Sequence, residues 1–451
     1  MLPEIVTAVP GPKSLALART LRTYESRNVT YTDPGFPVFW DRGDGVNIWD
    51  VDGNRFLDLT SAFGVSTLGH NPAVLRTAAA AQLEKLTHAM GDVHPSEGKA
   101  RLCEALSHLT FERWGLGVGK SILTSSGSEA VEAALKTSLL FTGKPGIVSF
   151  RGAYHGLGHG SLEASGLPFF RDPFRGQLAS FAEQVDYPAC ARCPFGALPT
   201  LNPAGPFPPC HSDCLMKIEA QILAALARQP VGAILVEPIQ GRAGHRIPPL
   251  EFLRMLRRIC DAERVLLIFD EIYTGFHRTG KRFACDHSGV APDILCLGKA
   301  LTGGFPLSAC VGRSDVMDAW PPSDGEALHT STFLGNPVGC AMALASIEVH
   351  EKASIPETIA VQEAMWRSEF ERLQGTAGVR GLGLFWAVDT APTSVFPIVK
   401  RALADGLILL GGGPSGDILT LTPPMGMTRE EISFAVGRIQ EYLTSRPGSI
   451  S

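Results

Sequence analysis

At 451 residues, with 45% hydrophobic and 19% charged residues and a formal net charge of −5, the chain has the composition of an ordinary globular protein with room for more than one core. The acidic balance and the lack of any basic run exclude a nucleic-acid surface, and no apolar stretch nears the roughly 20 residues that cross a bilayer. The opening MLPEIVTAVPGPKSLALART lacks a charged start followed by an apolar block, so the cytoplasm is the expected compartment.

Residues 13–28 carry apolar positions at helical spacing and predict an N-terminal helix. Next, FPVFWDRGDGVNIWDVDGNRFLDLTSAFG alternates apolar and polar residues around Gly43–Asp44–Gly45 and Asp52–Gly53, the pattern of a short antiparallel meander. From about residue 72 to 325, apolar strands (SILTSS, VGAILVEPI, VLLIFDEIY, DILCLGK) alternate with helical stretches, among them GSEAVEAALKTSLLF and a segment near 249–263. Continuously apolar strands alternating with helices predict a mostly parallel sheet covered on both faces. The C-terminal part reads as two helices and short strands around VRGLGLFWAVD and ILTLTPP. The expected organisation is α/β: residues 1–70 contribute to a smaller α+β domain, 71–330 form the large domain with an insertion at 187–214, and 331–451 complete the small domain.

Candidate site residues recur where strands end. Ser126 and Glu129 have capping-box spacing, so a helix should begin near Gly127–Ser128, where free amides and a glycine suit an anion. In SFRGAYHGLGHG, Tyr154 and His155 follow an apolar strand beside glycines, where an aromatic ring could stack on a cofactor. Glu237 and Asp270 each close an apolar strand, and a carboxylate there is either paired or functional. Lys299, twenty-nine positions after Asp270, lies where another apolar strand gives way to glycines, and desolvation pushes such an amine towards its nucleophilic form. An amine that can hold an aldehyde, with a carboxylate able to keep a ring nitrogen protonated, is the pair that pyridoxal phosphate requires. Thr332, in the turn-rich HTSTFLGNP, could donate to a phosphate.

The ordered set SGSEAVEAALK, FRGAYHG, VEPIQG, FDEIYTGFHRTG, CLGKALTGGFPLSA, HTSTFLGNP and VRGLGLFW resembles the class III aminotransferases, the acetylornithine/ornithine/4-aminobutyrate group of fold-type-I pyridoxal phosphate enzymes. The likeness runs from VNIWDVDGNRFLDL to LTPP, nearly the whole chain. It implies pyridoxal phosphate bound covalently to Lys299 as the internal aldimine, with the same lysine acting as acid and base. It also implies Asp270 on the pyridine nitrogen, Gly127 and Ser128 on the phosphate, Tyr154 stacked on the ring with His155 beside it, and Glu237 near the substrate. Thr332 would reach the phosphate held by the partner subunit of a homodimer. Tyr273 replaces a frequent glutamine and could donate to the cofactor's phenolic oxygen.

The pattern departs where that family clamps carboxylates. Leu157 and Thr420 stand at the positions of its two arginines, and an aliphatic side chain cannot replace a guanidinium fork. Phe39, Trp40, Phe63 and Leu157 are therefore expected to form an apolar pocket, with Arg151, Arg242 or Arg246 as possible sources of a displaced carboxylate contact. The leading reading is transfer of an amino group between an amine or amino acid and a keto acid or aldehyde. An amino-acid racemase, epimerase or aminomutase on the same scaffold is the alternative, and a non-catalytic phosphate-binding protein would not need Lys299, Asp270 and Thr332 together. Cys190, Cys193, Cys210 and Cys214, in the insertion, suit tetrahedral zinc, two disulfides or reduced thiols, with no catalysis expected there.

Overall fold

The computed structural model describes residues 1–31, 33, 35–190, 207, 212–390 and 393–444. A helix over Pro12–Tyr24 precedes the expected meander, which forms β1 (Trp40–Asp44), β2 (Asn47–Asp50) and β3 (Arg55–Asp58), each antiparallel to the next. The β2–β3 turn is fixed locally: Asp50 Oδ1 accepts from the amides of Asp52 (3.0 Å) and Asn54 (2.8 Å), the way an aspartate side chain stands in for a backbone turn.

Seven strands make the large sheet: β4 (Gly119–Thr124), β5 (Gly146–Phe150), β6 (Ala182–Val185), β7 (Val231–Val236), β8 (Leu266–Asp270), β9 (Ile294–Leu297) and β10 (Ser308–Arg313). Their order is β4-β10-β9-β8-β7-β5-β6, with β10 antiparallel to both neighbours and the run from β9 to β6 parallel. The mostly parallel α/β sheet read from the sequence is therefore present. Strand β8 shows why its residues are apolar throughout. Leu267 and Phe269 join the core that holds Phe252 and Leu256 of the helix Leu250–Glu263, whereas Leu266 and Ile268 join Ala130, Ala133 and Ala134 of the helix Gly127–Thr142. The same alternation puts Asp270 on the face covered by the latter helix. That helix starts where the capping pattern predicts, with Ser126 Oγ accepting from Glu129 N (3.3 Å) and Glu129 Oε2 accepting from Ser125 N (2.8 Å). It stops at Gly143, which adopts φ 68°.

In the C-terminal part, β11 (Gly378–Leu382), β12 (Phe385–Asp389), β14 (Leu410–Gly412) and β15 (Ile418–Leu421) form an antiparallel sheet in the order β11-β12-β15-β14. Strand β13 (Leu407–Ile408) leaves this sheet and pairs in parallel with β3, Leu407 opposite Leu57. Val46, Leu57 and Leu59 accordingly share one core with Trp366, Trp386, Leu419 and Ile439. The helix Pro337–His350 goes the other way, placing Cys340, Ala343 and Ile347 in the core of the large sheet.

Cys190 and Cys214 are buried, and Cys193 and Cys210 lie outside the described residues. Among the described residues no group of three or more His, Cys, Asp or Glu is arranged to hold a metal, and no helix is long and apolar enough to cross a membrane.

Phe269 is fully buried at the centre of the sheet, one residue before Asp270. Phe269→Ala should cost about 3–5 kcal/mol, the range for a buried aromatic replaced by a methyl, read as a fall in the urea midpoint at unchanged slope.

Candidate active site

A cavity of about 530 Å³ opens where the parallel strands end, the expected place for a ligand in an open α/β sheet. Strand β5 delivers Tyr154, His155 and Gly156, β7 delivers Glu237, β8 ends on Asp270, and β9 is followed by Gly298 and Lys299. The N-terminus of the helix Gly127–Thr142 contributes Gly127 and Ser128, and β14 and β15 add Leu410, Gly411, Gly412 and Thr420.

Lys299 has φ 44°, a left-handed backbone that costs a non-glycine residue energy and tends to occur where function holds it in place. Its Nζ lies 4.3 Å from the centre of the Tyr273 ring. Desolvation lowers its pKa from the ordinary lysine value, against the raising effect of Asp270 and Glu237. Asp270 is buried and committed on both oxygens: Oδ2 is 2.8 Å from His155 Nδ1, and Oδ1 accepts from Ile272 N at 3.1 Å. His155 Nε2 is buried and has no hydrogen-bond partner among the described residues.

Glu237 is the other buried carboxylate. Oε1 accepts from Tyr154 N and Oε2 from Gly241 N, both at 2.9 Å, so the side chain ties the exit of β5 to the loop after β7. Burial raises its pKa from about 4.5 to about 7, with Asp270 adding to the rise and His155 opposing it. Tyr273 is wedged by two glycines: a Cβ on Gly64 would lie 2.2 Å from its Cε2, and one on Gly241 would lie 2.4 Å from its Cδ1. Its hydroxyl is 3.4 Å from Thr422 Oγ1.

The donor set suits pyridoxal phosphate: an amine of lowered basicity, a buried carboxylate at the end of the neighbouring strand, a tyrosine ring, and the amides of a capped helix end. The close approach at that helix end depends on glycine, because a Cβ on Gly156 would meet Ser128 Cβ at 2.6 Å. The orphaned His155 Nε2 is a further polar atom on the same wall.

Of the residues named from the sequence, Lys299, Asp270, Glu237, Gly127, Ser128, Tyr154, His155, Tyr273, Phe63, Leu157 and Thr420 all line this cavity. Phe39 and Trp40 are not among the residues that line it. Trp40 opens the edge strand β1 and is 43% exposed, its ring edge-on to His70 at 5.8 Å. Phe170 is a further aromatic residue on the cavity wall, and no local motif announces it. Thr332 is exposed in a loop outside this cavity wall. Among the arginines considered, Arg151 pairs with Asp186, whereas Arg242 lines the cavity. His245, also unforeseen, stacks on Phe385 at 3.6 Å and lies edge-on to Tyr273.

The family model for class-III aminotransferases matches residues 29–443. The 4-aminobutyrate aminotransferase of Mycobacterium leprae is 34% identical over 98% of both chains, and a leucine/methionine racemase of Thermococcus litoralis is 30% identical over 93% of this chain and 92% of its own. An amine transaminase from an uncultivated Pseudomonas species, solved in its PLP-bound form, superposes with a TM-score of 0.80 at 29% identity, covering 92% of this chain and 97% of its own.

A carboxyl whose pKa is higher in the folded than in the unfolded chain binds its proton more tightly when folded, so its contribution to stability is lost as pH rises from about 4.5 to about 7. Glu237→Gln removes that dependence. Relative to the parent, the cofactor-free variant should gain up to roughly 3 kcal/mol between those pH values, whatever constant offset the amide introduces, as measured by urea denaturation across the window.

Proposed function

The chain belongs to the class-III aminotransferase family and is an aminotransferase, and from that premise we propose that it works with pyridoxal phosphate held covalently by Lys299. The observation that carries this reading is the juxtaposition of strand ends: a strained lysine after β9 shares one cavity with the buried Asp270 that closes the adjacent β8. When bound, the cofactor supplies an aldehyde to take up an amine and a ring to spread the charge left when a neighbouring carbon loses its proton.

The chain's own groups have separable tasks in this reading. Lys299 would hold the cofactor through Nζ and, as a free amine, would be the group able to take up and return a proton at that atom. Its lowered pKa favours the free amine that such work needs. Asp270 would take the ring nitrogen's N–H, and its contact with His155 orients the carboxylate and spreads its charge. Gly127 and Ser128 would donate to the phosphate at the helix end, Tyr154 would cover the ring, and Tyr273 would approach the phenolic oxygen. Glu237, with both oxygens on backbone amides, positions the walls on the substrate side. Thr332, exposed on its own chain, would serve the phosphate of a second copy, making the working unit a homodimer in the cytoplasm. Substrates are an amine or amino acid and a keto acid or aldehyde. Isomerisation would use the same lysine and cavity and is the alternative, with one racemase among the relatives.

Incubation with pyridoxal phosphate and borohydride should place a reduced adduct on Lys299, read by peptide mass mapping. Lys299→Ala should lose the adduct and at least about 100-fold in transfer to pyruvate or 2-oxoglutarate across a donor panel. An intact rate would refute the assignment, and Cα proton exchange with no keto acid formed would move the reading to isomerisation. Thr332→Ala should loosen cofactor retention, followed by the visible absorbance left after dialysis; unchanged retention would remove Thr332 from the phosphate site.

A further inference from the structure

Arg242 is a cation for which the proposed chemistry has no use. It lines the active-site cavity, its guanidinium carbon 5.5 Å from the centre of the Tyr154 ring and 5.2 Å from that of Phe170. Those two rings are 5.4 Å apart and edge-on, so the guanidinium stands beside an aromatic corner, a setting that suits its weak hydration and flat shape.

The backbone that presents it is tied from several directions. Gln240 N donates to Arg246 O (3.2 Å) and Arg246 N returns a bond to Gln240 O (2.9 Å), closing the loop at its base. Gly241 N donates to Glu237 Oε2, Gly413 N donates to Arg242 O (3.0 Å), and Arg380 Nε donates to the carbonyls of Gly244 and His245 (3.1 and 3.0 Å). The backbone of this loop is held firmly, yet the guanidinium of Arg242, an exposed residue at the cavity wall, makes no ion pair or hydrogen bond with any described residue. Its neighbours differ: Arg151 meets Asp186 and Arg171 meets Glu163.

The cavity's acids do not answer it. Glu237 and Asp270 line the same space, but they bond to Tyr154 N, Gly241 N, His155 and Ile272 N, and neither pairs with Arg242. Lys299 and Arg242 thus share a cavity in which, among the described residues, no carboxylate pairs with the arginine. Its charge is felt across the site: it adds to the desolvation that lowers the pKa of Lys299, and it opposes the burial that raises those of Tyr273 and Tyr154. Phe63, Leu157, Phe170 and Leu410 add apolar surface to the same wall.

Building on the aminotransferase reading above, we propose that Arg242 binds the carboxylate of the amino substrate, and that the site selects amino acids with apolar or aromatic side chains over the corresponding plain amines. A guanidinium presents paired N–H donors matched to a carboxylate, and the aromatic and aliphatic wall accommodates the side chain. The cofactor's phosphate is the competing anion, and the test separates the two.

Holoenzyme is mixed with L-phenylalanine or with 2-phenylethylamine, which differ only in the carboxylate, and the visible change of a single half-reaction gives a rate constant for each. The parent should favour the amino acid, and Arg242→Met should reduce that ratio by about 10- to 100-fold, the effect of losing hydrogen bonds to a charged group. Arg242→Lys, which keeps the charge without the fork, should recover part of it. Calorimetry with 3-phenylpropionate, which has no amine to react, should show binding to the parent weakened by a similar factor in Arg242→Met. If no amino group is ever transferred while this binding difference persists, the aminotransferase reading falls and the carboxylate site stands. An unchanged ratio, 3-phenylpropionate held equally by both proteins, or a loss of bound cofactor with the ratio intact would overturn the proposal, the last by giving Arg242 to the phosphate.

Discussion

A lysine amine away from bulk water loses part of its hold on its proton unless an anion stands close enough to restore it. Lys299 is poised between these effects. Desolvation lowers its pKa while Asp270 and Glu237 pull the other way, and neither carboxylate, bonded as they are to His155 and backbone amides, makes an ion pair with it. A close ion pair would have fixed the proton on nitrogen and left a poor nucleophile. The structure keeps the attraction and withholds the contact.

That balance depends on where the strands stop. Parallel strands β5, β7, β8 and β9 run in one direction and end at one edge, so the residues after their last apolar positions gather without any sequence proximity. Glu237 adds a tie across the gap by accepting amides from the segments following β5 and β7. Burying a carboxylate for this purpose is costly, and its pKa of about 7 records the cost. Tyr154 and Gly241, on opposite sides of the tie, both line the cavity, so the same carboxylate fixes the distance between two of its walls.

Much of this was legible in the sequence because the signals were local. An apolar run that ends in a charged residue identifies a strand end, which is how Glu237, Asp270 and Lys299 are found, and the Ser126–Glu129 spacing marks the helix start to the residue. What escaped comes from distant segments brought together by packing. Phe170 sits in a short helix, Pro168–Arg171, with no periodicity to report, and Leu410–Gly412 enters the cavity only because β14 pairs with β15 and Gly413 N reaches Arg242 O. The edge position of Trp40 was likewise beyond the reach of local pattern. Alternation shows that a residue faces away from its neighbours, but not that its strand lies at the open edge of a sheet. Arg242 was visible as a candidate beside Arg151 and Arg246, and only the ion pair of Arg151 and the wall of the cavity distinguish them.

Phe63 shows how the terminal segments become part of the site. Ser61, Ala62, Phe63 and Gly64 have φ of 46°, 48°, 63° and 77°, a left-handed turn that costs about 1–2 kcal/mol for each residue with a Cβ. Such a turn persists only if its surroundings hold it, and the bonds come both from the preceding strand and from distant parts of the chain. Asp58 accepts from Thr60 N (2.8 Å) and Ala62 N (3.1 Å) and meets His70 Nε2 at 2.7 Å. Ser61 Oγ donates to Thr422 O, just beyond β15, at 2.6 Å. Arg278, fully buried, donates to Thr67 Oγ1 and Pro423 O at 2.7 Å each and to Gly64 O at 3.4 Å, and it lies on the segment that follows Asp270 and Tyr273. One guanidinium therefore joins the strained turn, the end of the C-terminal sheet and the strand exit that carries the carboxylate. Phe63 and Thr420 reach the cavity on elements far apart in the chain, and their placement relative to Lys299 is set by that buried cation rather than by either terminal sheet alone.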